Sequence, residues 1–380
     1  MFQEIKFDYV RGRQNWEEFM VKVRNWEADN HDQVVESRTI AYRDDDSLVH
    51  TAEVANAGDN PFYNGQPLME ESASKLTRHA LGQFIERMDG PPLRWFADER
   101  HTDGALRAEV MNDVIRHREN KELLLRNRNQ GGETIVRSVL SDQYGVFNHD
   151  EFVGLIANAI DNMSTVGERV EVFGGEIGDK MRGYVLLPNV VFGQDPRGNG
   201  RGGGDLHPSV YIHNSETGTG KVRIHGGLYS SVCDNGVIYG WNQDAGLELI
   251  HRSISRRTIA SMVADACVAA FKLSEEAAEK FIAAERIFLE PLAIENLATK
   301  WADKYGLTLG SVEAWSNMIE VESAQNGRRG EPTLFDVVNA ATFTAQAQEP
   351  DERELMERLG GDLLFAELPE RFMAQERVLS

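Results

Sequence analysis

The sequence predicts an α+β protein, with a central, largely antiparallel sheet flanked by helices and a small irregular β-containing region at the N-terminus. Two observations lead there. Between Arg169 and Trp241 the runs VEVFG, GYVLLPNVVFG, PSVYIHN, KVRIHGGLY and GVIYGW follow one another across glycine-rich connections, the signature of short strands in series. Before and after that stretch, apolar residues recur instead at helical spacing.

Taken in order, residues 1–68 form the N-terminal region, where β-compatible runs such as VVESRTIAYR alternate with turn-rich segments such as RDDDS and NAGDNPFYNG. The α+β core is expected over residues 69–345. It opens with a helix in which Leu76, Ala80, Leu81, Phe84, Ile85 and Met88 share a face before Gly90-Pro91-Pro92 stops it. A second helix is expected over Ala105 to Arg118, then a hairpin in KELLLRNRNQGGETIVRSVLS, closed by its Asn/Gln/Gly turn. Asn148 or Asp150 caps a helix reaching Ile160, with Phe152, Leu155, Ile156 and Ile160 on one side. Within the β stretch, GQDPRGNGRGGGD reads as a mobile connection, and Asn235-Gly236 as a type I′ turn. Helices follow over Ile254 to Lys272, from a Ser274 cap to Leu289, and from Ile294 to Tyr305. Residues 346–380 form an acidic tail that frays or docks, with Leu355, Leu359, Leu363 and Leu364 giving it an amphipathic partner-binding face.

Charge and cysteine usage narrow the function classes. A formal net charge of -21 repels polyanions in bulk, so any nucleic-acid contact has to be local. Two cysteines, Cys233 and Cys267, build no disulfide framework and suit a reducing cytoplasm. The stretch MFQEIKFDYVRGRQ lacks the apolar core of a signal peptide, and no run reaches membrane-spanning length.

The segment Ser209–Gly240 carries the densest set of motifs. Its Gly220-Lys221 pair resembles part of a phosphate-binding P-loop, but Ser215 replaces the first glycine and Val222 the hydroxyl residue. The residues after it also alternate as a strand, where a P-loop requires a helix. The Asn214–Gly220 loop therefore has two readings: an anion nest supported by Lys221 and Arg223, or a β-connection whose Asn and Ser bond their own backbone. His213, Glu216, His225 and Asp234 are the candidate ligands of a divalent metal, with His207, Cys233 and His251 nearby. No HExxH, HxH or CxxC pair fixes two of them on one element.

Basic residues concentrate around Arg116, Arg118, Lys121, Arg126 and Arg128, and again at Arg197, Arg201, Lys221 and Arg223. Together with Arg137 these are candidates for phosphate contacts, and Tyr211, Tyr229, Tyr239 and Trp241 for base stacking.

Three segments in a fixed order, IVRSVLSDQYGVFNHDEFVGLI, SVYIHNSETGTGKVRIHGGLYSSVCDNGVIYG and TLFDVVNAATFTA, resemble the phage/plasmid-like proteins classed as domain of unknown function nine-three-two. SKLTRHALGQFIERMDGPPLRWF is similar to the segment preceding them there, so the resemblance covers about Ser74 to Ala345. Phe335 stands where that family commonly has Trp, a swap that keeps the packing role. The resemblance implies a bacteriophage or mobile-element setting and no particular reaction. A remoter analogy, at the level of fold, is to phage single-strand annealing proteins.

The resulting expectation is a non-enzymatic single-stranded nucleic-acid-binding protein of the recombination or annealing type, cytoplasmic and oligomeric. Its phosphate and base contacts are Arg126, Arg128, Arg137, Arg197, Arg201, Lys221, Arg223, Tyr211 and Tyr229. The alternatives are a metal-dependent hydrolase using His213, Glu216, His225 and Asp234, and an acidic protein-binding inhibitor of a host system that engages its partner through the tail.

Overall fold

The computed structural model describes residues 5, 8–9, 12–50, 73–96, 103–163, 169–196, 204–231, 235–239, 246–251, 256–290, 300–301, 303–328 and 330–366. The fold is α+β, built on two sheets instead of one. Sheet A contains β1 (Asp8–Tyr9), β2 (Arg13–Asn15), β9 (Glu171–Ile177), β10 (Lys180–Leu186), β11 (Gly193–Gln194), β12 (Asp205–Ser215), β13 (Val222–Ser230), β14 (Asn235–Tyr239) and β15 (Leu247–Leu249). Its main path is β1-β9-β10-β12-β13-β14, and every pairing in it is antiparallel. Sheet B contains β3 (Asn30–Glu36), β4 (Ile40–Tyr42), β5 (Ser47–His50), β6 (Ala73–Leu76), β7 (Glu122–Gln130) and β8 (Glu133–Ser141), in the order β3-β7-β8-β6-β5-β4. Only β6 and β8 run parallel there.

Residues 30–50 thus share a sheet with β6–β8, so no boundary near residue 68 divides the chain's pairing. The N-terminal region also contains a helix that the sequence reading missed, α1 (Trp16–Ala28). Trp16, Phe19, Val23 and Trp26 form its buried stripe, and the Asn15 side chain accepts the Glu17 amide as a cap.

The expected helices over 76–88 and 105–118 are α2 (Arg78–Arg87) and α4 (Gly104–His117), with a single turn between them, α3 (Leu93–Phe96). α2 and α4 pack on sheet B around Leu81, Phe84, Met111, Val136 and Val139. The β7–β8 hairpin closes on Gly131 and Gly132, both at positive φ, as a two-residue turn requires. The Asn235-Gly236 pair behaves differently. Both residues are paired within β14, against Ser230 and Tyr229, and Gly236 is not at positive φ. A Cβ there would come within 2.8 Å of Tyr184 Cζ, so this glycine makes room for a ring and forms no turn.

α5 (His149–Met163) and α6 (Arg256–Ala283), with α1, cover the apolar face of sheet A through Val185, Val210, Ile212, Ile224, Phe152, Ile156 and Val263. α6 runs through Ser274, where a helix start was expected. The Ser274 hydroxyl is buried and donates to the Ala270 and Gly227 carbonyls, so a potential cap is satisfied inside the helix. Of the expected Ile294–Tyr305 helix, residues 294–299 lie outside the described residues. α7 (Leu309–Gln325), α8 (Leu334–Ala345) and α9 (Pro350–Phe365) complete a further core with the C-terminal half of α6, around Phe281, Trp315, Phe335, Met356, Leu359 and Leu363. A full capping box, Thr333 with Asp336, starts α8. The acidic stretch after Glu349 is therefore, through residue 365, a docked helix. Among the described residues no helix is long and apolar enough to cross a membrane.

Candidate functional site

Two concentrations of charge stand out, one at the seam between the sheets and one on the polar face of sheet A. The seam begins with a β-bulge. Arg126 pairs with Ser138 and Asn127 with Val136, so Arg137 is the extra residue on β8, and the bulge re-aims its side chain. Arg137 is fully buried and donates through Nη1 to Glu216 Oε2 at 2.9 Å and to Asp179 Oδ1 at 3.1 Å. Arg126, also buried, donates to Asp32 (2.9 Å), to the Glu216 carbonyl (2.9 Å) and to Asn148 (2.5 Å). Arg128 lies over the Trp26 ring at 3.7 Å and donates to the Trp26 carbonyl and to Asn30. These three arginines are committed to holding β7 and β8 against sheet A and α1, and they do not face solvent as a phosphate-binding set.

Glu216 also meets Glu27 and His149. The His149 amide, in the first turn of α5, donates to Glu216 Oε1 at 2.9 Å and to Glu27 Oε1 at 3.1 Å. Two carboxyl oxygens meeting at one N–H repel each other unless one carries a proton. Burial and the Glu216 charge push Glu27 up to about 9, while His149, Arg137 and Arg126 outweigh the burial of Glu216 and hold it well below the usual carboxylate range. The pair is one proton shared by two carboxyls at a helix N-terminus.

Ligand atoms of Glu27, His149 and Glu216 lie within 4.8 Å of one another, close enough for a metal centre by distance alone. Their hydrogen bonds argue against it. His149 Nε2 faces the Gly178 carbonyl at 2.9 Å and so carries the proton, and Nδ1 accepts from the Asn214 amide at 3.0 Å. Neither imidazole nitrogen has a lone pair to spare. The expected metal set does not assemble: His213 and His225 lie on the opposite face of sheet A from Asn214 and Glu216. Asp234 and Cys233 fall outside the described residues, as do Arg197, Arg201 and Trp241.

In the Asn214–Gly220 loop the Thr217 carbonyl accepts from His79 and Gln83, and the Ser215 carbonyl accepts from the Tyr144 hydroxyl. The Ser215, Thr217 and Thr219 hydroxyls bond among themselves. Such a loop offers acceptors and local Ser/Thr bonds, matching the β-connection reading better than an anion nest.

The polar face of sheet A is the second concentration. Cross-strand register places Arg182, His213 and Arg223 in one row and Tyr184, Tyr211 and His225 in the next. Phe173, Tyr184, Leu186, Tyr211, Tyr229 and Ile238 form an aromatic-rich cluster on it. Tyr211 and Tyr229, expected to stack bases, are thus together, with Arg223 beside them and Lys221 at the margin. Tyr184 and Arg182 belong to the same surface and were missed, although the alternation in KMRGYVL signals them.

The first two turns of α9 lie on this face. Asp351 accepts from Lys180 Nζ (2.8 Å) and Arg182 Nη2 (2.7 Å), and Glu354 from Arg223 Nη1 (2.5 Å) and Arg182 Nη1 (3.3 Å). Glu357 accepts from the Tyr184 hydroxyl at 2.7 Å and from Arg353 Nε at 2.8 Å. Although burial would raise it, His213, Arg223 and Arg182 hold Glu354 below the usual range, and bonds from Lys180 and Arg182 take Asp351 down to about 2. Burial takes His213 and His225 down to about 4, so both are neutral near pH 7.

An open cavity of about 790 Å³ also runs along the seam, lined by Glu86, Arg87, Glu119, Lys121, Tyr144 and His251 among others. A neighbouring cavity of about 370 Å³ shares Tyr144, Ile250 and His251. No family model, curated protein or solved structure matches this chain.

Proposed function

We propose that this chain is a non-enzymatic binding protein for single-stranded nucleic acid, with the polar face of sheet A as its platform and the start of α9 seated where phosphates would lie. The observation that carries the reading is the pairing of α9 with that face. On the sheet, Lys180, Arg182, Lys221 and Arg223 stand beside Glu176 and Glu248, and Tyr184, Tyr211 and Tyr229 lie among them. Cations flanking a row of aromatic rings are the chemistry of a sequence-tolerant single-strand platform. Asp351 and Glu354 meet those cations as carboxylates at ion-pair distance, as phosphate oxygens would. The surrounding acidity keeps the attraction local, which fits the bacteriophage or mobile-element setting implied by the family resemblance only for a ligand that replaces α9.

Fluorescence anisotropy with a labelled oligo-dT tests this at low salt. The wild type should bind weakly. Asp351→Asn with Glu354→Gln removes the competing charges and should tighten binding about tenfold, roughly 1.4 kcal/mol. The four sheet cations predict a slope of log affinity on log salt of about -2.8. Adding Arg182→Ala and Arg223→Ala should abolish the gain. Absence of binding by the folded double variant at low salt sinks the reading.

A further inference from the structure

The start of α9 is fastened mainly by charge. Pro350 opens the helix, and the Glu349 side chain makes no cap bond to the amides there. Leu355 and Met356 are the first side chains of α9 packed in the hydrophobic core. Ahead of them, three carboxylates hold the turn. Asp351 meets Lys180 and Arg182, and Glu354 meets Arg182 and Arg223. Glu352 accepts from the Thr308 amide and hydroxyl and from the Ser311 hydroxyl at the start of α7. A cavity of about 20 Å³, room for one water, lies between Pro350, Arg353 and Glu354 and the sheet residues Arg182, Tyr184 and Tyr211. Ion pairs of this kind can exchange a carboxylate for an arriving anion, whereas an apolar joint would have to be exposed to water.

The sharing of cations distinguishes one phosphate from several. Arg182 serves both Asp351 and Glu354, and each carboxylate has a second cation of its own. Lys180 Nζ lies 2.8 Å from Asp351, and Arg223 Nη1 lies 2.5 Å from Glu354. Lys180 and Arg182 are two positions apart on β10, and the register puts Arg223 two strands away, level with Arg182 across His213. Two strand spacings are roughly 10 Å. A lone phosphate that takes Arg182 therefore leaves Asp351 on Lys180 and Glu354 on Arg223, and the turn stays down. A chain of phosphates reaches Lys180, Arg182 and Arg223 together and displaces both carboxylates. Asp351 is the point of entry, its side chain being 69% exposed against 10% for Glu354.

We propose that residues 350–354 are a latch that unwinds from the polar face for a linear polyanion of several phosphates and not for a single phosphate, leaving residues 359–365 in their core. Such a latch rests on the reading of the polar face as the binding platform and adds the condition under which it opens. Unwinding frees the amides of residues 353–357, whose helical partners are the carbonyls four positions back, beginning with Arg353 to Glu349 at 2.8 Å. It also withdraws Glu352 from α7, where the Thr308 hydroxyl still accepts the Ser311 amide as a cap.

Amide hydrogen exchange on the full chain tests the latch, with inorganic phosphate, sodium polyphosphate or oligo-dT at equal phosphate concentration and ionic strength. Both chains should speed exchange over residues 350–357 at least about tenfold and leave residues 359–365 unchanged, while inorganic phosphate alters neither stretch. Opening by inorganic phosphate, an even rise along α9, or no change with either chain would overturn the proposal. Opening by polyphosphate without any binding of oligo-dT would keep the latch and remove the nucleic-acid reading. Opening by oligo-dT alone would overturn the latch, because bases and not the row of charges would then lift the turn. Glu349→Asp gives the helix a short capping carboxylate at unchanged charge and touches no platform residue. It should slow exchange over residues 350–357 in the free protein about threefold and weaken oligo-dT by the same factor. Slower exchange with unchanged affinity would separate the latch from binding and overturn the proposal.

Discussion

At the scale of single residues, the pair Glu27 and Glu216 makes the most specific statement. The folded chain keeps a proton on Glu27 up to about 9, whereas an unfolded glutamate releases it near 4.5. Between those values the folded state binds more protons than the unfolded state, so stability falls as pH rises. Glu216 acts in the opposite sense, its contribution being full above the unfolded value and lost only in acid. Burial takes His213, His225 and His251 down to about 4, so these three titrate well below pH 7 to 9. Melting temperature should therefore drop across pH 7 to 9 in the wild type and stay nearly flat in Glu27→Gln, whose amide can donate to Glu216 without titrating. A parallel drop in both proteins would show that no proton is shared. Sequence reading marks Glu216 as a chemistry-bearing residue but cannot supply its partners. Glu27 lies on α1, and His149 is 67 positions before Glu216. The packing of α1 and α5 on sheet A brings the three together.

Among the elements, the glycines of β13 and β14 are what let the polar face close. A Cβ on Gly236 would meet Tyr184 Cζ at 2.8 Å, and one on Gly227 would meet the same ring at 3.3 Å. Tyr184 lies flat over this strip, and its hydroxyl reaches Glu357 only from there. Gly236→Val should cost about 1–3 kcal/mol in urea unfolding, as overpacking of a tight site does. Amide exchange should accelerate across residues 350–357, with residues 359–365 protected as before because Leu359 and Leu363 remain in their own core. Exchange that rises evenly along α9 would mean that the ring and the helix are not coupled. Much at this scale is legible in the sequence: the 3.6-residue stripe of α2, the Gly131-Gly132 turn and the alternation along β12 and β13 are local signals. The Asn235-Gly236 pair shows where local signals fail. The same two letters suit a type I′ turn or a strand beneath an aromatic ring, and the ring comes from β10.

For the whole molecule, the question is how two sheets with separate cores behave as one body. Sheet B has its own core with α2 and α4, and sheet A shares two cores along the 28 residues of α6. The buried arginines of the bulge are prominent among the links across the seam. Arg137→Met leaves Glu216 and Asp179 without their cation and should cost about 3–5 kcal/mol, whereas Arg137→Met with Glu216→Met should recover part of that loss. In urea, the single variant should unfold in two steps by tryptophan fluorescence and circular dichroism, and the wild type in one. Coincident transitions in the variant would place the coupling elsewhere. That the fold is α+β follows from runs of strands flanked by helical spacing. Its division into two sheets does not, because β3 and β7 pair across 94 positions between Asp32 and Arg126, and no periodicity encodes that partner.

The order of synthesis gives the docking of α9 a consequence in time. The strands carrying Arg182, Tyr211 and Arg223 are made roughly 150 residues before the helix that covers them, which at about 5–20 residues per second is on the order of 8 to 30 s. Throughout that interval a nascent chain carries the basic, aromatic surface without its acidic cover, beside a ribosome and its message. Each copy therefore passes once through an uncovered state before its own C-terminal helix arrives.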